Sequence, residues 1–398
     1  MIIILFPYKF NNSYFKKYQI KELKKKFKNK IEIHDLFNII SKKWQKGASI
    51  QRNKSALVFN DLNQWKNHLK KILKKENKIF VVNTISSNSF KSFFVHYLLF
   101  KYKVKLIKLN SPEVYAPAQS NTLYLKLISF LKNLFFNFPK LFFILKNIFY
   151  NKLLYLLNFD ELYILYSGSR KYLLPLTIRS KKLFFIKFHA SDFANYLTNK
   201  KKNNLYIKKN YIVFLDIKPP AFPGDDVSFN DKIIYNASKW YKDLNNFLKK
   251  VEKKFNSKVI IVPHPSVRHL KNIYYDKKFN VSKDPDASNK LISKSKFVIA
   301  NGATTAVSYC VIHDKPIAFI YNNQVIKKNP TMFFETKNLS RYLSSKSINI
   351  NDKFDKKNFC LKINKRKYLK YKYNFLTSKN IQNIQNSEIL KKLISNDR

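Results

Sequence analysis

The chain has 398 residues, 45% of them hydrophobic, and carries 77 Lys and Arg against 24 Asp and Glu, a formal net charge of +53. That length accommodates two domains with cores of their own, and the hydrophobic share excludes a disordered polycation. Such a charge suggests nucleic acid or an anionic membrane as partner, but the excess of Lys over Arg, the abundance of Asn, Ile, Phe and Tyr, and only four Gly match the residue bias of an AT-rich coding sequence.

The opening MIIILFPYKF lacks the basic n-region of a signal peptide and reads as a first buried strand. Short apolar runs follow at Ile31–His34, Ala56–Phe59, Ile79–Asn83 and Val104–Leu109, with a helical pattern over Phe90–Tyr102. Strands alternating with helices predict a parallel α/β sheet. Residues 121–159 are rich in Leu and Phe but punctuated by Lys126, Lys132, Lys140, Lys146 and Lys152. No run there reaches the roughly 18 apolar residues of a spanning helix. Pro139 is expected to divide the segment into two helices. Their composition suits either an interfacial membrane segment with snorkelling lysines or a core-facing pair with a basic outer face. Further strands are predicted at Leu162–Tyr166 and Leu183–Phe188.

The polar stretch Asn199–Lys209 marks a boundary, so residues 1–205 form a first α/β domain. A second, over residues 206–345, starts with a strand at Tyr211–Leu215 ending on Asp216, then the proline-stiffened loop KPPAFPGDD. Apolar residues at helical spacing run from Ile234 to Phe255. Strands are predicted at Val259–Val262, Phe297–Ile299 and Ile317–Ile320, and helices at Ala287–Ile292 and Ala303–Ile312. Residues 346–398 read as a basic tail with a terminal helix at Ile381–Ile394. Cys310, in the run AVSYCVI, reads as a small core residue, and with Cys360 as the only other cysteine there is neither a zinc motif nor a disulfide framework.

Two strand ends carry chemistry. His264-Pro265 closes the strand VIIV, and proline on either side holds His264 extended and ends the ladder. Its imidazole can then meet a phosphate, with Ser266, Arg268 and His269 nearby as donors. Arg268 stands out as a phosphate ligand in a lysine-rich chain. Asn301-Gly302-Ala303-Thr304-Thr305 joins a strand to a helix, where hydroxyls and free N–H groups attract phosphate; the plain alternative is an ordinary N-cap. Asp216, Asp225 and Asp226 lie in one strand-to-loop segment and offer a general base. His189, after the strand LFFIKF, either lines a ligand cleft or belongs to a helix cap. There is no GxGxxG, no Walker loop, and no His/Cys/Asp cluster with metal spacing.

The order strand–His-Pro, helix, strand, Ser/Thr-rich turn and KPI before another strand, over Tyr211–Tyr321, resembles bacterial surface-carbohydrate glycosyltransferases of the GT-B type. The similarity is to the capsule and lipopolysaccharide branch that includes bacterial sialyltransferases and enzymes using CMP-activated nonulosonic or ulosonic acids. The resemblance implies an α/β protein of two Rossmann-like domains facing a cleft, here with a helical Phe/Lys-rich insertion in the first. It implies a nucleotide held by the C-terminal domain, a nucleotide-sugar donor (CMP-linked favoured), a glycan or glycolipid acceptor, and transfer without metal or cofactor. His264 would contact the nucleotide phosphate, with Pro265, Arg268, Asn301, Gly302, Thr304 and Thr305 around it. Asp216 and His189 would line the substrate site. The family's acidic motif is two acidic residues followed by Gly; here Asp225-Asp226 is preceded by Gly224 and followed by Val227, which leaves the base open. The expected location is cytoplasmic, peripheral on the inner face of the plasma membrane. The competing readings are a basic nucleic-acid-binding protein and a nucleotide-sugar epimerase or hydrolase on the same scaffold.

Overall fold

The computed structural model describes residues 1–28, 30–40, 52–86, 89–110, 138–173, 176–200, 210–217, 220–222, 236–268, 270–284, 286–359 and 361–396. The chain forms two compact units, one from Met1–Pro112, Ile128–Asn195 and Thr377–Arg398, the other containing Tyr196–Leu376. The predicted tail 346–398 is thus shared: residues to Leu376 belong to the second unit, and the remainder returns to the first.

The first unit is a seven-stranded sheet of β1 (Ile2–Phe6), β2 (Ile31–Asp35), β3 (Leu57–Val58), β4 (Phe80–Asn83), β5 (Lys105–Asn110), β6 (Asn158–Ser167) and β7 (Arg179–Phe188). Their spatial order is β3-β2-β1-β4-β5-β6-β7, and every neighbouring pair is parallel. Parallel strands covered on both faces need no polar alternation, which is why IIILF and the FVV of FVVN read as unbroken apolar runs. Asp61 caps the Leu62–Lys75 helix, accepting from the Gln64 N–H at 2.8 Å. Ser89 and Ser92 close a capping box on the Phe90–Lys101 helix.

The described part of the Phe/Lys-rich segment is one helix, Phe138–Leu156. Pro139 lies in its first turn, where the missing N–H costs nothing, so it opens this helix; residues 121–137 lie outside the described residues. Leu154 is buried, whereas Phe142, Leu145, Ile148, Phe149, Tyr155 and Leu156 are exposed. No helix among the described residues is long and apolar enough to cross a membrane.

In the second unit the strands are β8 (Tyr211–Asp216), β9 (Lys258–Pro263), β10 (Asn280–Val281), β11 (Val298–Ala300), β12 (Ile317–Tyr321) and β13 (Lys346–Asn349). The order β10-β9-β8-β11-β12-β13, parallel throughout, is that of a Rossmann sheet. Each unit is therefore a Rossmann-like α/β domain. The Ala237–Phe255 helix buries Trp240, Tyr241, Leu244, Phe247, Leu248, Val251 and Phe255 along one stripe. Asn236 caps its start, and Asn256, at φ 45°, turns the chain off its end. Cys310 is buried, as its apolar run requires, and burial pushes its thiol pKa up.

Candidate functional site

Strand order reverses between β8 and β11, and ligands of open α/β sheets bind outside the carboxyl ends of strands at such a switch point. Asp216 pairs with Pro263 on β9, and the pairing of Leu215 with Ala300 places Asn301 beside Asp216 on the other flank. Pro263, Asp216 and Asn301 therefore form one row across three strand ends. His264 leaves one side of that row, and the Gly302–Thr305 turn leaves the other. Two strand steps separate them, about 10 Å.

Asp216 is buried and saturated with donors. The Asn301 side-chain amide donates to its Oδ1 at 2.6 Å, the Tyr241 hydroxyl to its Oδ2 at 3.0 Å, and the Tyr275 hydroxyl to the same Oδ2. Burial outweighs these three bonds and raises its pKa to about 7. Asn301 in turn accepts the Ile217 N–H at 2.9 Å. This carboxylate thus fixes the turn beside it. Gly302 completes the fit: a Cβ there would lie 2.8 Å from Ile217 Cδ1 and 3.4 Å from Met332 Cε. Tyr275 has no sequence signal and emerges from the fold alone.

His264 is half-buried, and its carbonyl accepts the Val267 N–H at 3.0 Å, closing a short 3-10 turn over Pro265–Val267 in which Pro265 is exposed. Arg268 is spent inside the protein. Its guanidinium donates to the Pro263 carbonyl at 2.9 Å, the Asp284 carbonyl at 2.7 Å and Ser288 Oγ at 3.1 Å, so it braces the His264 turn from behind. Thr304 and Thr305 are half-buried and precede the helix, which runs only over Val307–Ile312. Thr304 Oγ1 accepts the Ala306 N–H at 3.4 Å, and the carbonyls of Thr304 and Thr305 accept from Val307 and Ser308. A six-residue helix carries little macrodipole. Phosphate affinity here would come from hydroxyls and turn N–H groups. Asp225, Asp226 and His269 lie outside the described residues.

His189 belongs to the first unit and is buried there. Its Nε2 faces the Ile384 carbonyl at 2.7 Å and its Nδ1 the Thr377 hydroxyl at 2.8 Å, while its backbone N–H donates to Asn386 Oδ1. It anchors the returning C-terminal segment, and burial lowers its pKa. One residue the sequence did not single out lies on a helix that reaches the switch point: Glu335, one turn after Met332 on the Pro330–Tyr342 helix, whose Met332 borders Gly302. Burial raises its carboxyl pKa, and it has no hydrogen-bond or ion-pair partner among the described residues.

Glu32, His34 and His68, in the first unit, have metal-type composition. The Trp65 indole N–H donates to His34 Nδ1 at 3.1 Å, which fixes the proton on Nε2. That nitrogen donates to Glu32 Oε2 at 3.0 Å, and His68 Nε2 lies 2.8 Å from the same oxygen. A metal would need the Nε2 lone pair that this tautomer lacks. The histidines, His34 foremost, instead hold the Glu32 carboxyl down at about 2.

No family model matches the chain, and no curated protein matches it. Among solved structures it is similar to a UDP-N-acetylglucosamine 2-epimerase from Rickettsia bellii, at 10% identity over 99% of this chain and 95% of that one, TM-score 0.42. It is also similar to MurG from Acinetobacter baumannii, at 7% identity over 99% of both chains, TM-score 0.41. Os79 from O. sativa gives 10% identity over 98% and 94%, TM-score 0.45.

Proposed function

We propose that the protein is a glycosyltransferase whose second unit binds the nucleotide of a nucleotide-sugar donor at the β8–β11 switch point. The acceptor would be a cell-surface glycan or its lipid-linked precursor. The observation that carries this reading is the Pro263–Asp216–Asn301 row, which sets His264 and the Gly302–Thr305 turn on either side of the β8 end in a Rossmann sheet. His264 and the threonine hydroxyls would stabilise charge on the departing phosphate without a metal. Glu335 would accept from the ribose hydroxyls, and Asp225 or Asp226 would deprotonate the acceptor. The family resemblance favours a CMP-linked nonulosonic or ulosonic acid as donor. A thermal-shift panel of CMP, UDP, GDP and dTDP in the presence of a chelator tests this: a ligand at 100 times its Kd stabilises by about 2.7 kcal/mol. Response to none of the four would sink the reading. Response to UDP or GDP alone would exclude the CMP-linked donor.

The Phe138–Leu156 helix supports a peripheral place on an anionic membrane. Its exposed apolar face is flanked by exposed Lys146 and Lys152, and the helix contains no acidic residue. Phe142→Ser combined with Phe149→Ser should cut binding to vesicles containing anionic lipid by about 100-fold or more, at roughly 1.5–3 kcal/mol per buried aromatic. Equal co-flotation of variant and parent would remove the helix from the contact.

A further inference from the structure

Lys108 lies on β5, in register with Asn83 on β4 and with Ile164 on β6, which is itself in register with Phe185 on β7. Registered side chains in a parallel sheet share a face, so Lys108, Ile164 and Phe185 form a row above one side of the first sheet. The connection from β6 to β7 crosses this face and supplies two groups. Thr177 accepts a hydrogen bond from the Lys108 ammonium at 3.1 Å. Arg170 lays its guanidinium over the Phe185 ring at 4.4 Å and near the Tyr166 ring at 5.7 Å. Two cations thus stand over a row about 10 Å wide.

Neither cation meets a carboxylate among the described residues. The acidic residues of β5–β7 are Asp160 and Glu161, and both are engaged elsewhere: Asp160 with Lys181 at 2.7 Å, Glu161 with Lys105 at 2.8 Å. Lys105 and Glu161 are of opposite parity to Lys108 and Ile164, so they lie on the other face. The adjacent His96 brings no negative charge. Its Nδ1 meets the Ser92 carbonyl and its Nε2 the Asn83 amide, and burial keeps it neutral, with a pKa of about 4. Among the described residues this largely buried ammonium has one hydroxyl partner and no counter-charge, a costly arrangement unless a ligand completes it. Burial correspondingly lowers the Lys108 pKa.

We propose that Lys108 and Arg170 form an anion-binding site in the first unit that takes a phosphate group of a ligand, with Thr177 orienting the lysine. A dianion matches two cations, and the guanidinium offers paired donors suited to phosphate oxygens. The test is calorimetric titration of the full chain with inorganic phosphate, and with acetate, at constant ionic strength. Lys108→Met and Arg170→Leu are each expected to weaken one phosphate site about tenfold or more, the loss expected for a charge-assisted hydrogen bond. Each should leave the nucleotide response of the second unit unchanged, and an unchanged far-ultraviolet circular dichroism spectrum and thermal unfolding profile show that the variant's first unit is folded. Arg170 is exposed, so its variant stays informative where Lys108→Met disturbs packing. Equal phosphate affinity in parent and both variants overturns the proposal, as does a site that acetate fills and phosphate does not. The nucleotide panel reads the second unit and does not bear on this site.

Discussion

His264→Ala is expected to lower nucleotide-dependent transfer by about 100- to 1000-fold, the loss seen when one donor to a developing oxyanion is removed. The size follows from geometry. Proline on both sides of His264 leaves its backbone little freedom, and the β9 end lies directly beside the β8 end at Asp216 and Pro263. Arg268, bonded to the Pro263 carbonyl, stiffens the turn from behind. The imidazole is therefore preorganised. His264→Gln should recover part of the nucleotide affinity, since an amide still donates a hydrogen bond, but not the transfer rate. Unchanged affinity and turnover in His264→Ala would remove this residue from the site and the central support from the transferase reading.

Asp216→Ala is expected to destabilise the second unit by about 3 kcal/mol or more, because three donors lose one acceptor. Tyr241 comes from the long helix, Tyr275 from the loop before β10, and Asn301 from the β11 end. Loss of the carboxylate therefore loosens three elements at once, and nucleotide affinity should fall with it. A pH series separates this group from others. Folded Asp216 keeps its proton up to about 7, whereas in the unfolded chain it ionises near 4. Its contribution is thus fully present below about pH 4 and is lost as pH rises from there through about 7, by on the order of 4 kcal/mol. Asp216→Asn cannot ionise and should lack this slope. Denaturant midpoints of parent and Asp216→Asn at pH 4.5 and 7.5 would show the parent losing ground to the variant; parallel profiles would mean that Asp216 is not buried as described.

Much of the scaffold is legible in the chain. IIILF, IVFL within YIVFLD and VIIV within KVIIVP announce buried parallel strands because a sheet covered on both faces selects apolar residues on both sides of the strand. The stripe from Trp240 to Phe255 announces its helix for the same reason, at a period of 3.6. Short elements escaped: Asn280–Val281 and Lys346–Asn349 extend the second sheet with few apolar residues, since an edge position is defined by its neighbour's ladder. The helix after Asn301 starts at Val307 because Ala303–Ala306 form a turn capped by Thr304, and turn and first helical turn share their residue preferences.

By itself the sequence determined the two α/β sheets and the positions of His264 and the Asn301–Thr305 turn, because burial periodicity and proline and glycine act locally along the chain. Only the tertiary structure decided which polar groups face one another. It assigned Arg268 and His189 to bracing the protein, made Asp216 the bolt of a four-residue network with Tyr241, Tyr275 and Asn301, and gave Lys108 no carboxylate partner among the described residues. Such pairings join residues up to 197 positions apart. They depend on strand order and register, and no local pattern encodes either.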